Sequence, residues 1–561
     1  MTTTTMPTGT DGTGAATARP ATTAPGGRAT TATATAPTAP GTTAAATAPH
    51  GTATGCPVTA ATAPVRTATG CPVTAATAPV RTATGCPVTA ATVAATAAAA
   101  AAAAATATAP APAPAPAPAT TSAATGRTAA PATSPATGTA TGGAPAPTGS
   151  AGARAGDFTE QYLLSPAVNA DPYGYLNALR DHDPVYWSAM HRAWLVTGHD
   201  HLMHCLRDPA VSADRVRPLM DAVPEGARDD AERAFGILSR WMVFNDPPQH
   251  RRLRQVFQDQ FAARAIGRYR GFVERATRAM ADRRAAPGKA GDLVADIARP
   301  LPALVFARWL GVPQADAPSF WYWNARVGDL VLGAAQEERE YRTSLQSLVN
   351  LEDYLADLVR QRRADPKDDL ISAVLAGGRI GASVSEEEFV GMLTQMAFAG
   401  GETTSNLIAN TVLALLTRPD QLAAVREDPE ALVPMAVEET MRFDGPSKMS
   451  IRVAADDLDL DGRAVRAGDR LFLVTAAANR DPERFADPDR FDVRRGSGGP
   501  MHLGFGFGAH FCVGAALARL VAVSAVDVLV RERPGLAPAD EPLSWQPSLL
   551  NRALTALPVR Y

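Results

Sequence analysis

The sequence predicts a mainly α-helical domain with small β-sheets, preceded by a disordered Ala/Thr/Pro-rich segment. Three observations predict it. Composition divides the 561 residues near Asp157: aromatic and large aliphatic side chains are scarce before it and reach globular density after it. Beyond the divide, most segments repeat apolar residues at helical spacing. Stretches that read as strands are few and short. Residues 1–156 are therefore expected to be a low-complexity tail. Residues 157–561, roughly 400 in all, suit one large domain.

The tail cannot bury enough apolar area to offset the entropy of ordering it. Pro110 to Pro118 alternates Ala and Pro and should extend as polyproline II. Ala97 to Ala105 is too short to cross a bilayer. Residues 52–92 carry a fifteen-residue tandem unit, TATGCPVTAATAPVR, placing Thr-Gly-Cys-Pro-Val around Cys56, Cys71 and Cys86. Three readings stand: expansion of a spacer, a multivalent docking peptide, or contact of the Cys-Pro pairs with haem or a metal. In format the tail resembles the cargo-loading tails of enzymes packaged in encapsulin shells. That resemblance implies a cargo-loading role inside a protein nanocompartment.

The start of the chain has no basic region followed by an apolar one, so no secretory signal is expected. No membrane partner is expected either, since no apolar run reaches membrane-spanning length. A net charge of −3 offers nothing to nucleic acid. Five cysteines in a chain of this size make no disulfide scaffold, and a reducing cytoplasm is the simpler location.

The first strand-like stretch is Val185 to Val196. Leu351 to Arg362 and Glu387 to Leu416 have helical periodicity, and Ser385 with Glu388 fits a capping box at the start of the second. Pro429 to Arg442 is a further helix. Met449 to Leu473 reads as strands around a Leu460-Asp461-Gly462 turn, and Leu549 to Val559 as extended chain.

The segment from His502 to Arg519, HLGFGFGAHFCVGAALAR, delivers Cys512 from a glycine-rich loop to a helix expected over Val513–Val530. A helix start lowers a thiol pKa through its free N–H groups and dipole. Gly506, Gly508 and Gly514 allow unusual backbone angles and close approach to a flat cofactor, and Phe505 can shield the sulfur. The alternative is a buried structural cysteine in a turn.

Phe505-x-x-Gly508-x-x-x-Cys512-x-Gly514 resembles the haem-binding signature of the cytochromes P450, bacterial soluble type, without departure. The likeness runs from about Asp157 to Tyr561. It implies the cytochrome P450 fold, with haem b as cofactor and Cys512 as axial iron ligand. Such a thiolate pushes electron density that promotes O–O cleavage. It also implies O2 as co-substrate, with Phe505, Gly506 and Gly514 against the haem.

Ala399-Gly-Gly-Glu-Thr-Thr404 lies inside the long helix, where paired glycines weaken helical structure. A local opening would leave room for oxygen and water. Glu402 beside the Thr403 hydroxyl makes a plausible proton relay. The segment resembles the family's distal-helix motif, which implies catalytic roles for Thr403 and Glu402 and cofactor contact at Ala399 and Gly400.

Glu439 and Arg442, at i and i+3, read alone as a surface pair of little weight. They resemble the family's buried Glu-x-x-Arg pair, with Arg495 as its third, structural member. His250 and Arg254 share a helix face after the Pro247-Pro248 break. The resemblance makes them contacts of the haem propionates, together with Arg452 and His510, and more weakly His502. Arg251 and Arg252 point elsewhere and could form a basic docking face.

The resulting expectation is a monooxygenase that inserts one oxygen atom from O2 into a small organic substrate, terpenoid or polyketide-like. Electrons would come from a ferredoxin and its ferredoxin reductase. The alternatives are a non-catalytic haem sensor and a tethered scaffold component. Substrate-facing residues should come from Val211 to Phe244, Pro446 to Ser450 and Ser548 to Asn551. There Lys448 either meets an acidic or carbonyl group of the substrate or simply faces solvent.

Overall fold

The computed structural model describes residues 158–283, 290–332, 337–495 and 499–561. The tail, its repeats and the Asp157 boundary lie outside the described residues. Six helices position the site: α1 (Gln249–Arg254), α2 (Pro300–Leu310), α3 (Glu338–Ala364), α4 (Glu386–Leu416), α5 (Pro429–Phe443) and α6 (Ala515–Glu532). No helix among the described residues is long and apolar enough to cross a membrane.

Helix α4 starts where its capping box requires. Ser385 Oγ accepts from the Glu388 amide at 3.1 Å, and Glu388 Oε2 accepts from the Ser385 amide at 2.9 Å. Its apolar residues then run nearly unbroken, from Phe389 through Met396 and again from Leu407 to Leu416, and are almost all buried. A helix apolar on all sides belongs at the centre of a large domain. It packs there against α2, α3, α5 and α6.

The largest sheet has five strands: β1 (Val185–Ser188), β2 (Ala193–Val196), β3 (Val211–Ser212), β4 (Ser450–Ala454) and β5 (Arg470–Leu473), in the order β1-β2-β5-β4-β3. Only β2 and β5 pair in parallel, with Trp194 opposite Leu471. Val185 to Val196, expected as one stretch, is a hairpin in register Val185↔Val196. Its turn holds Arg192 at φ 49°, a left-handed residue that no glycine announces in the sequence. The Leu460-Asp461-Gly462 turn forms as expected: Asp461 and Gly462 have φ of 54° and 75°, the primed geometry that matches strand twist.

Along β4 the side chains alternate. Met449 and Ile451 pack into an apolar cluster with Tyr173, Leu176, Phe472 and Leu550. Ser450 and Arg452 therefore face the opposite side.

Candidate active site

Cys512 sits in the loop ahead of α6. The first helical residue is Ala515 and Gly514 is the cap, so the helix begins two residues later than expected. The loop closes on itself: the Cys512 amide donates to Phe505 O at 2.8 Å, and the Gly506 amide to Leu503 O at 2.8 Å. Gly506 and Gly508 have φ of 72° and 71°, as a loop this tight demands. Gly514 does not share that role. Its φ is −84°, and a Cβ there would meet only Phe261 and the Cys512 sulfur at ordinary contact distance.

Solvent-sized contact reaches Cys512, yet its thiol behaves as fully desolvated. A side chain lining an internal hollow combines those properties. Burial pushes the thiol pKa up, while the Gly514 amide, then Arg254, Arg519 and the Ala515 amide, pull it down. Burial wins, so the helix start alone does not create the thiolate, contrary to the expectation. A metal cation at the sulfur would supply that charge, because a coordinated thiol is deprotonated outright.

Beside this loop lies a cluster of basic side chains. The His250 and His510 rings are 4.2 Å apart, centre to centre. His250 is buried on α1, one turn from Arg254. Arg452 projects from β4, and burial lowers its pKa. Arg215 lies within reach of Arg452: burial, and then that like charge, hold it down at about 10. Burial, then Arg452 and His250, hold His510 at about 3. Among the described residues only Asp246 answers these charges, 3.9 Å from His510 Nε2, and that nitrogen is buried without a hydrogen-bond partner among them. Buried cations gathered around one carboxylate fit a ligand that brings further negative charge. Among the described residues no three His, Cys, Asp or Glu side chains could together hold a metal ion. Cys512 would therefore serve as a lone protein ligand to iron already held in a macrocycle. A haem, with two carboxylates and one open axial position, fits this donor set.

Helix α4 passes the region without a break from Glu386 to Leu416, so the expected opening is not a gap in the helix. The hydroxyls of Thr403 and Thr404 instead bond back to the carbonyls of Ala399 and Gly400, at 3.1 and 3.2 Å. Gly400 has a packing reason: a Cβ there would stand 2.1 Å from the Phe306 ring of α2. Glu402 accepts from Asn551 Nδ2 at 3.3 Å. Burial raises its pKa, Asn551 and Arg299 oppose that rise, and Asp329 adds to it.

Packing decides four of the sequence expectations. Glu439 and Arg442 are buried, not a surface pair, with Arg442 Nη2 2.8 Å from Glu439 Oε1. Arg495 joins them, Nε to Glu439 Oε1 at 3.1 Å. His502 is drawn away from any propionate role to Glu438 Oε2, 3.1 Å distant. Arg252 is engaged by Glu388, Gln249 and the Ser383 carbonyl, which leaves Arg251 alone of the expected basic docking pair free to face outward. Two residues of the site, Arg215 and Arg519, escaped the sequence reading. Arg519 closes the cysteine segment but was given no role there, and both are singled out only by what folds against them.

The family model for cytochrome P450 matches residues 338–523. Cytochrome P450 107B1 of Saccharopolyspora erythraea is 39% identical over 374 residues, covering 66% of this chain and 89% of that protein. The chain belongs to the cytochrome P450 family. This P450 is also 38% identical to the monooxygenase PikC of Streptomyces venezuelae over 403 residues, 70% of this chain and 91% of PikC. Among solved structures, P450BioI, in complex with an acyl carrier protein ligated with hexadec-9Z-enoic acid, superposes with a TM-score of 0.64 at 32% identity. That match covers 71% of this chain and all of P450BioI. As a cytochrome P450 monooxygenase, the protein is an oxidoreductase of a haem- and O2-using family whose bacterial members work on small molecules with redox partners.

Proposed function

We propose that this P450 binds haem b and oxygenates a small organic secondary metabolite, terpenoid or polyketide-like, with electrons from a separate ferredoxin and ferredoxin reductase. One observation carries the site reading. Cys512 lies within electrostatic reach of Arg254, in a cluster of buried Arg and His side chains to which the described residues bring the carboxylate of Asp246.

Cys512 ligates the iron. His250, Arg254, Arg452 and His510, joined by Arg215, hold the propionates. Phe505, Gly506 and Gly514, with Ala399 and Gly400, would contact the bound macrocycle. When bound, haem supplies reductive activation of O2 and transfer of one oxygen atom to the substrate. Arg519, beside the thiolate, lowers the cost of its charge. Glu402 takes a proton from the solvent side, where Asn551 orients its carboxyl, and Thr403 passes it inward through a hydroxyl that both accepts and donates. Glu439, Arg442 and Arg495 hold the loops beneath the site.

The test is spectroscopic. The reduced carbon monoxide complex should show the absorption of thiolate ligation, and Cys512→Ser should abolish it while leaving much of the fold. An imidazole-type spectrum from the unaltered protein would end the reading. Thr403→Ala should keep the haem and divert reducing equivalents to peroxide.

Residues 1–156 form, on the same reading, a cargo-loading or docking tail dispensable for turnover. Each Thr-Gly-Cys-Pro-Val copy adds avidity for a repeated surface such as an encapsulin lumen, with the enzyme then in a cytoplasmic nanocompartment. Co-expression with shell proteins should show loading that falls as copies are removed. Equal loading with and without the tail would overturn it.

A further inference from the structure

Lys448 does not face solvent. The residue is 5% exposed, among the most buried charged residues of the chain. Its backbone is fixed on both sides: its amide donates to Leu550 O at 2.7 Å, and its carbonyl accepts from the Ala476 amide at 2.9 Å. The neighbouring Ser447 pairs with Asn551, the residue whose side chain meets Glu402. Met449 and Ile451 turn into the apolar cluster, so alternation places Lys448 on the face shared with Ser450 and Arg452. Arg452 on that face belongs to the basic cluster, while the charges that act on Lys448 itself are those of Arg552 and Asp444.

Among the described residues no carboxylate forms an ion pair with the ammonium. The carboxylate nearest in effect, Asp444, is taken by Tyr173 Oη at 2.5 Å and by Arg552 Nε at 3.0 Å. Burial holds Lys448 down at about 8, with Arg552 adding to the fall and Asp444 opposing it. A lysine placed so deep without a carboxylate costs stability that the chain does not recover by itself. An apolar residue would pack there at no such cost.

We infer that Lys448 is a specificity-determining residue, whose ammonium pairs with a carboxylate carried by the substrate. The inference rests on the haem-thiolate reading of the site and adds the substrate's chemical class to it. A hydrogen-bonded ion pair to a desolvated ammonium separates an acid from its neutral analogue by about 10- to 100-fold in affinity.

The experiment uses the full-length haem-loaded protein and a panel of carboxylates with alkyl, aryl and steroid skeletons. Each is paired with the primary amide of the same skeleton. Binding is read by calorimetry and by the spin-state change of the haem. At least one carboxylate should bind tenfold or more tighter than its amide. Lys448→Met should erase that preference, and Lys448→Arg should keep most of it. Lys448→Gln provides a second neutral variant should Lys448→Met fold poorly. If no carboxylate outbinds its amide, or if the neutral variants retain the preference, the inference is overturned. The reduced carbon monoxide spectrum of the same samples reports the haem-thiolate reading separately, since it can fail while the acid preference holds, or hold while the preference fails.

Discussion

Arg519 donates to Glu438, Nε to Oε1 at 2.6 Å, while its guanidinium lies 4.3 Å from the centre of the Phe505 ring. One side chain thus ties the helix after the cysteine to α5 and covers the aromatic residue that begins the cysteine loop. Burial would raise Glu438, but hydrogen bonds from Arg519 and His502 outweigh it and hold the carboxyl at about 2. Arg519→Met should cost about 1 kcal/mol in urea unfolding, a modest figure because both side chains are about one-third exposed. Adding Glu438→Gln to that variant should recover part of the loss. An additive double variant would show that the two residues act independently.

The buried trio behaves differently. Arg442 makes two bonds to Glu439 and one each to the carbonyls of Asn479, Pro488 and Arg490. Glu439→Gln leaves that guanidinium buried and uncompensated, which should cost about 3–5 kcal/mol. Arg442→Lys should not rescue function, because a point charge cannot serve five directions from one plane. Soluble yield and haem content of the variants check this.

Gly400→Ala places a methyl group on the Phe306 ring. We expect a loss of about 1–3 kcal/mol from overpacking. Phe306→Leu in the same chain should restore part of it. A gain in stability for Gly400→Ala alone would mean that the ring moves aside freely.

Asn551→Ala removes the hydrogen bond that opposes the raised pKa of Glu402. The carboxyl should then titrate still higher, so any step needing ionised Glu402 shifts to higher pH. Product formed per electron consumed, followed against pH, should move in that direction, and Glu402→Gln should flatten the dependence. An unshifted profile for Asn551→Ala would remove the contact from the relay.

Glu388 is held at about 2 by hydrogen bonds from Arg252, against the rise from burial and with help from the Ser385 amide. A depressed carboxylate stabilises the fold above its ordinary value near 4.5, and loses that contribution as pH falls toward 2. Glu388→Gln should therefore destabilise by about 1 kcal/mol at pH near 7 and by progressively less in acid. Urea midpoints at neutral and acid pH measure it.

Local chemistry was legible in the sequence. The α4 capping box, the Asp461-Gly462 turn and the glycines flanking Phe507 act over three or four residues, so the chain declares them wherever it is read. The cysteine loop, the Glu402–Thr403 pair and the Glu439–Arg442 pair stood out because function confines their parts to short spacings. The tertiary structure alone decided which cations lost their water. Arg215 and Arg452 are 237 positions apart, yet the charge of Arg452 acts on a buried Arg215. His502 looked like a haem contact until Glu438 folded against it, Gly400 like a weak point until Phe306 filled its vacancy, and Lys448 like a surface residue until β4 turned it inward. Burial and the partner that relieves it are properties of distant segments brought together, and no spacing along the chain encodes them.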